Sequence, residues 1–343
     1  MRHWMSASFF IVGLLCFSVA SAASDYTFNV VNVDFPSFRE DLFGCAASGL
    51  NDTGLIVGVC NDRTRNSNVR GYLFDGSKFK EIKLSSTKNA DNQRVVGPKQ
   101  KNLPLKRQSL YQNAPFFGGV TQADINTRRN NPKFRNLPNP QDVNNHGSVT
   151  GSFSDGTRTR GFVKRLGEDL TLSAPGADLT EATGINDLDQ VVGDYRDANG
   201  RFHSFVYEKG VFYSLDVPFI EDTDSGASGI NNLGKLVGCY SLCSRGFLYD
   251  TKSFFFTPLD VPGAVVTQPA DINDDGKVVG VYFDGLALHG FLYDGTGFTT
   301  IDVPGAFSTL LSGINNDGEI AGSYLVQNQQ GDFDSFAFVA VPQ

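Results

Sequence analysis

GINNDGEIAG, residues 313–322, decides the fold because the chain writes it six times. DINDDGKVVG stands at 271–280, GINNLGKLVG at 229–238 and GINDLDQVVG at 184–193, with weaker copies DVNNHGSVTG at 142–151 and GLNDTGLIVG at 49–58. Their leading asparagines are Asn51, Asn144, Asn186, Asn231, Asn273 and Asn315, at successive spacings of 93, 42, 45, 42 and 42 residues. A period of this length signals a repeat architecture. Within a copy, Asn315 and Asn316 tolerate turn conformations and Gly318 supplies positive φ, so the motif reads as a hairpin turn between two strands. Its closing Gly322 shares a strand face with Tyr324 and leaves room for that ring.

One period resolves into four strands. Over 269–303 they are PADIN, KVVGVYF, LHGFLYD and GFTTIDV, separated by turn-forming NDDG, DGLA and DGTG. Val278, Gly280 and Tyr282 alternate with Val279 and Val281, as the two faces of a strand require. Four antiparallel strands in about 42 residues make a propeller blade. The last copy stops at its third strand, SFAFVAVPQ, and YTFNVVNVDFP at 26–36 has the form of the missing fourth. A strand borrowed from the opposite terminus closes a ring and leaves no unpaired edge. The expected fold is therefore an all-β propeller of four-stranded blades, closed by the N-terminal strand. Seven blades are expected if 86–141 holds a degenerate one, since GGVTQADIN (118–126) echoes GAVVTQPADIN (263–273); six with a long insertion is the alternative.

Composition agrees. Gly (37), Phe (29) and Tyr (11) are abundant and helix signals are scarce, as in all-β chains. The charged start Met1-Arg2-His3, the apolar run from Phe9 to Val19 and the sequence Ala20-Ser21-Ala22 read as a secretory signal peptide over 1–22. The apolar run is too short to span a bilayer. Cys16 follows Leu15, where a lipoprotein signal needs a small residue. A single propeller domain over 23–343 is expected, secreted or periplasmic, without a membrane span. Four cysteines remain. Cys45 and Cys60 flank the turn Asn51–Gly54 symmetrically, and Cys239 and Cys243 flank a three-residue tip, so two short-range disulfides are expected. A four-cysteine metal site needs paired C-x2-C spacings, which do not occur.

The unit G-I-N-[DN]-x-G-x-[VI]-V-G-x-Y, followed by [HR]-G-F-[LV]-Y-D and F-x-x-[IL]-D-V-P-G-A, resembles the bacterial extracellular HAF-repeat proteins over most of 24–343, with 86–141 the poor stretch. The tripeptide itself stands here as His289-Gly290-Phe291 and His203-Ser204-Phe205. The resemblance implies a secreted repeat scaffold and little about chemistry.

Several residue columns invite a functional reading. Asp271, Asn273 and Asp275 fit the opening of a calcium loop, which converges oxygens on a hard cation. Only this copy qualifies, and a plain Asx turn is the competing reading. Arg70, Arg160, His203, Arg245 and His289 begin successive third strands, and Asp34, Asp216, Asp260 and Asp302 lie on fourth strands. Their spacing sets His289 opposite Asp302 and His203 opposite Asp216, so cross-strand pairing explains much of both columns. The aromatic column Phe153, Tyr195, Tyr240, Tyr282 and Tyr324 lies on the glycine face of an inner strand and reads as packing between blades rather than as a sugar platform.

The irregular segment 98–141 is the chief departure from the repeat. It holds Lys99, Lys101, Lys106, Arg107, Arg128, Arg129, Lys133 and Arg135 against Asp124 alone, in a chain of net charge −8. Such an excursion suits an anionic polymer or an acidic partner, and equally a solvated loop drawn to its own acidic body. With Arg63, Arg65, Arg158 and Arg196 on second-to-third-strand loops, it defines the expected ligand-binding face. The expected function is a non-enzymatic secreted scaffold that binds an extracellular protein or anionic polysaccharide, and a monomer is expected. Export and a pI near 5.0 disfavour nucleic acid. No cofactor beyond calcium is implied. The alternative is a propeller hydrolase or lyase acting on polysaccharide or lactone at the channel mouth. G-x-S-x-G, H-E-x-x-H and C-x-x-C are all absent, so no catalytic residue is assigned.

Overall fold

Short β-branched and aromatic runs punctuated by Asx-Gly turns form an up-and-down meander. The computed structural model describes residues 20–21, 25–31, 42–62, 69–84, 88–89, 94–96, 137–215 and 224–343. Among them no α-helix occurs, and no helix is long and apolar enough to cross a membrane. Two short strands come first, β1 (Ala20–Ser21) and β2 (Tyr26–Val30). Unit 1 is β3 (Leu42–Leu50), β4 (Ile56–Asp62), β5 (Val69–Phe74) and β6 (Phe79–Glu81). The strands β7 (Lys88–Asn89) and β8 (Arg94–Val96) follow. Unit 2 is β9 (Asn139–Val143), β10 (Val149–Ser154), β11 (Thr159–Arg165) and β12 (Glu168–Leu172). Unit 3 is β13 (Leu179–Ile185), β14 (Val191–Arg196), β15 (Phe202–Glu208) and β16 (Val211–Leu215). Unit 4 is β17 (Ser225–Ile230), β18 (Lys235–Tyr240), β19 (Arg245–Asp250) and β20 (Phe255–Pro258). Unit 5 is β21 (Val266–Ile272), β22 (Val278–Phe283), β23 (Leu288–Tyr293) and β24 (Phe298–Ile301). Unit 6 contributes β25 (Ser308–Ile314), β26 (Ile320–Gln327) and β27 (Phe333–Pro342).

Each strand pairs antiparallel with the next inside its unit, and β2 pairs antiparallel with β27 from Tyr26↔Pro342 to Val30↔Phe338. The N-terminal strand thus supplies the fourth strand of unit 6. Of the stretch expected to hold a degenerate blade, β7 and β8 add in parallel to the outer edges of β12 and β16, β9 belongs to unit 2, and residues 97–136 lie outside the described residues.

The core lies between consecutive units. Val192 and Val206 of unit 3 pack with Ile230, Leu236 and Phe247 of unit 4, Val237 of unit 4 with Ile272 and Phe291 of unit 5, and Ala321 and Ala337 of unit 6 with Cys60 and Tyr72 of unit 1. Burying both faces of each sheet is the main stabilising term, about 25 cal/mol per Å² of apolar surface. The recurring glycine of the second strand serves this packing. A Cβ on Gly322 would meet Phe338 Cζ at 2.7 Å, so the room is left for the third-strand Phe opposite it, not for Tyr324. Gly151, Gly238 and Gly280 stand in the same relation to Phe162, Phe247 and Phe291. This is a propeller-like all-β fold with two disulfides. Cys45–Cys60 bridges facing residues of β3 and β4, and Cys239–Cys243 closes the β18–β19 turn.

Candidate functional site: a polar bore and the opposite loop face

The six motif turns meet at one end of the inner strands. Each leading Asn uses both ends of its amide. Asn231 Oδ1 accepts the Leu233 and Lys235 N–H groups of its own turn, and its Nδ2 donates to the Asn273 carbonyl 2.9 Å away in the next unit. The same donation runs from Asn51 to Asn144, Asn144 to Asn186, Asn186 to Asn231, Asn273 to Asn315, and from Asn315 to the Asn51 carbonyl at 3.3 Å. The cycle returns to its start. Gly54, Gly147, Gly234, Gly276 and Gly318 sit at φ near +80° as the turn requires, and Asp189 takes that place in unit 3 at φ 59°.

The next residue of each motif makes a second cycle, which the sequence analysis missed. Around the bore it reads Asp52, Asn145, Asp187, Asn232, Asp274, Asn316, with Asp and Asn alternating. Each backbone N–H donates to the following Oδ1, and each Asn amide bridges the carboxylates on both sides. Asn145 Nδ2, for example, is 2.7 Å from Asp52 Oδ2 and 2.9 Å from Asp187 Oδ2. Alternation lets every amide donate to carboxylates and every carboxylate accept, a match that six identical residues cannot make. The alternation was readable once the copies were aligned.

Below these rings the bore carries Asp142 and Asp271, three steps apart in the six-step cycle and therefore opposite one another. Each takes the N–H of the residue after it and, from the next unit, the N–H of Ile185 or Ile314. Burial pushes Asp142 up to about 6, and burial and then the facing Asp142 push Asp271 well above the usual carboxylate range. The ring level encloses about 60 Å³ and the level lined by Asp142, Asp271, Thr183, Ser228 and Ser312 about 50 Å³. These spaces suit one or two water molecules and are far below the 300–1,000 Å³ of ligand pockets. A separate cavity of about 810 Å³ lies between β2 and unit 1, lined by Val30, Leu50, Ile56 and Phe74 and also by Asn29, Lys78 and Glu319; residues 32–41, which continue from Val31, are outside the described residues.

The calcium-loop residues are drawn in different directions. Both carboxylate oxygens of Asp271 are occupied by N–H groups, Asn273 Oδ1 accepts Lys277 N–H, and Asp275 is exposed with Lys277 Nζ at 3.9 Å. Among the described residues no three His, Cys, Asp or Glu side chains gather as metal ligands.

The second-to-third-strand turns and the links between units lie on the opposite face. Arg158 is exposed there. Arg196 is committed, since its guanidinium grips Asp178 through Nε (2.8 Å) and Nη2 (2.6 Å) and lies over Phe202. Arg63, Arg65, Lys99, Lys101, Lys106 and Arg107 lie outside the described residues. The cross-strand ladder is present in part. His289 Nδ1 is 2.7 Å from Asp302, and Arg245 Nη1 is 2.8 Å from Asp260. Arg160 reaches Ser173 and Asp155, and Arg70 Nη1 pairs with Glu81 at 2.8 Å. Asp34 and Asp216 are outside the described residues; His203 Nε2 is 3.4 Å from Asp197. Tyr195 stacks on His203, Tyr282 on His289 and Tyr324 on Phe336, and the column also packs between units, Tyr195 against Val163 and Leu172 of unit 2 and Tyr240 against Val192 and Val206 of unit 3.

Sequence reasoning also missed the apolar side of this face. Val265 (61% exposed), Leu286 (88%) and Phe307 (54%) project from consecutive links and turns of units 4 to 6, with the Phe333 ring 4.7 Å from that of Phe307. In units 2 and 3 the face is charged. Glu181 and Asp194 face each other across β13 and β14 near Asp224; burial pushes Glu181 up to about 7, and burial and then Glu181 raise Asp194 well above its usual range.

No family model matches the chain, and no curated protein matches it. Solved structures similar to it include an inactive virginiamycin B lyase of Staphylococcus aureus with quinupristin (10% identity, 92% of this chain and 99% of that one, TM-score 0.45). Others are the Aleuria aurantia lectin with Fucalpha1-6GlcNAc (11%, 88% and 97%, 0.46) and YCF48 bound to D1 peptide (10%, 95% and 98%, 0.44).

Proposed function

We propose that the protein is an exported six-bladed β-propeller of the HAF-repeat kind, closed by β2 as the outer strand of the last blade, that binds an extracellular protein partner without chemistry of its own. Six blades, the alternative to seven, is the count that the direct reach of the Asn51 amide to the Asn144 carbonyl supports. The binding surface is the face of second-to-third-strand turns. The observation that carries it is the exposure on this face of Val265 and Leu286 at unit 5 and of the neighbouring rings Phe307 and Phe333 at unit 6. Contiguous exposed apolar groups rimmed by charge mark protein interaction sites. The other end of the bore is shut by two satisfied hydrogen-bond cycles and serves as scaffold.

The test is photo-crosslinking on producing cells, with a photoreactive residue at Leu286 or, as a control on the ring face, at Leu166. One discrete adduct from position 286, lost with Phe307→Asp, supports the reading. Equal or absent labelling at both positions contradicts it. A second reading, a hydrolase or lyase, draws on Glu181 and Asp194, because carboxyls that share a buried site divide into acid and base. Turnover of any glycan or lactone that vanishes in Glu181→Gln would favour it; turnover unaffected by that change would not.

A further inference from the structure

The second-to-third-strand turn of unit 4 is built unlike its counterparts. In units 2, 3, 5 and 6 an Asx side chain caps the turn. Asp155 takes the N–H groups of Thr157 and Arg158, Asp197 those of Asn199 and Arg201, Asp284 those of Leu286 and Ala287, and Asn328 those of Gln330 and Asp332. Each of these turns also places a glycine at positive φ: Gly156, Gly200, Gly285 and Gly331. Unit 4 reads Tyr240-Ser241-Leu242-Cys243-Ser244 and has neither device. Instead Ser241, Leu242 and Cys243 hold φ values of 53°, 59° and 57° in succession. L-residues avoid this left-handed conformation because Cβ crowds the following carbonyl.

The Cys239–Cys243 bridge stands where the other turns have their Asx cap. Four hydrogen bonds help it: Ser244 Oγ donates to the Ser241 carbonyl at 2.7 Å and Ser244 N–H to the same carbonyl at 3.3 Å, while from unit 5 Gln268 Nε2 donates to the Cys243 carbonyl at 2.9 Å and Thr267 N–H to the Ser244 carbonyl at 3.2 Å. The other bridge differs on each count. Cys45 and Cys60 are set opposite each other by the β3–β4 ladder itself, and Cys60 is fully buried, whereas Cys243 is half-buried in a surface turn.

We propose that Cys239–Cys243 is a redox-responsive site, opened and closed by exchange with a dithiol while Cys45–Cys60 stays intact. A reductant thiolate attacks the accessible Cys243 sulfur, the bridge bond breaks, and Cys239 leaves as a thiolate that takes up a proton. The reductant's second thiol then attacks its own half of the mixed disulfide and releases Cys243 as a thiol. The protein gains two electrons and two protons, and the dithiol ends as a disulfide. Opening frees three residues from the left-handed region, so the backbone favours reduction here and has no such bias at Cys45–Cys60. Leu242, exposed at the junction with unit 5, is released with the turn. The inference concerns the bridge alone and does not rest on the binding reading.

The test equilibrates the full secreted chain in graded mixtures of reduced and oxidised dithiothreitol, traps thiols with iodoacetamide and maps them by mass spectrometry. Cys239–Cys243 is expected to reach half-reduction at a reduced-to-oxidised ratio at least about tenfold lower than Cys45–Cys60. Leu242→Gly, which relieves one left-handed residue, is expected to raise that ratio about tenfold without moving Cys45–Cys60, and Ser241→Gly to act likewise. Both bridges opening together, Cys45–Cys60 opening first, or no upward shift in either glycine variant would overturn the proposal.

Discussion

Asn231 is the clearest place to probe the ring, because its amide does three separable things. Asn231→Ala removes two turn-capping acceptances and the donation to the Asn273 carbonyl, all at a side chain only 3% exposed. At about 1 kcal/mol net per hydrogen bond, the loss is about 3 kcal/mol. The Asn273 carbonyl keeps the Gly276 N–H as a partner, which spares the larger penalty of an orphaned acceptor. For a domain of this size that corresponds to a midpoint lowered by roughly 4–6 °C. Asn231→Asp preserves the two acceptances and turns the donor into a carboxylate oxygen facing a carbonyl. At pH 7 it is expected to lose at least as much, since a buried charge is added. Below its raised pKa the protonated acid donates to the Asn273 carbonyl again, so stability recovers as pH falls. The assay is thermal unfolding by circular dichroism at pH 4.5 and pH 7.5, each variant compared with wild type at the same pH. An alanine loss below about 1 kcal/mol, or an aspartate variant equal to wild type at pH 7.5, would refute the reasoning.

Other outcomes follow from the same structure. Glu181, raised to about 7, and Asp142, raised to about 6, hold protons when folded that the unfolded chain has released above about pH 4, so stability is expected to fall as pH rises from 4 through 7. Urea titrations at pH 5 and 7.5 check this, and Glu181→Gln flattens the slope. Gly322→Ala drives a methyl group onto the Leu310 backbone carbonyl and into Phe338 and is expected to cost at least about 2–3 kcal/mol, read from the same titrations. Replacing 98–136 by a Gly/Ser linker of equal length is expected to leave one cooperative melt with its midpoint within a few degrees, because the hydrogen-bond cycle from Asn51 to Asn144 is complete among the other units.

The period, the four-strand unit, the borrowed strand and both disulfides were legible because each rests on local spacing. Cys45 and Cys60 are symmetric about their turn, and DGTG announces the hairpin that sets His289 against Asp302. What escaped depended on contacts between distant copies. Each Asn looked like turn chemistry, and its turn does use Oδ1; only the ring shows where Nδ2 goes. Asp271 resembled the first ligand of a cation loop because its neighbours in sequence are Asn273 and Asp275, whereas its neighbour in space is Asp142 of unit 2, three steps along the hydrogen-bond cycle. Arg196 looked like a free surface cation because Asp178, its partner, belongs to the link preceding β13, outside the β14–β15 turn. The apolar arc was hidden for the same reason, since Val265, Leu286 and Phe307 come from separate loops.

A crystal structure of the full chain tests the central claim most directly. The account requires six four-stranded blades, β2 on the outer edge of the last, and the Asn315 amide on the Asn51 carbonyl. A seventh four-stranded unit formed by residues within 86–136 and seated between Asn51 and Asn144 would contradict it.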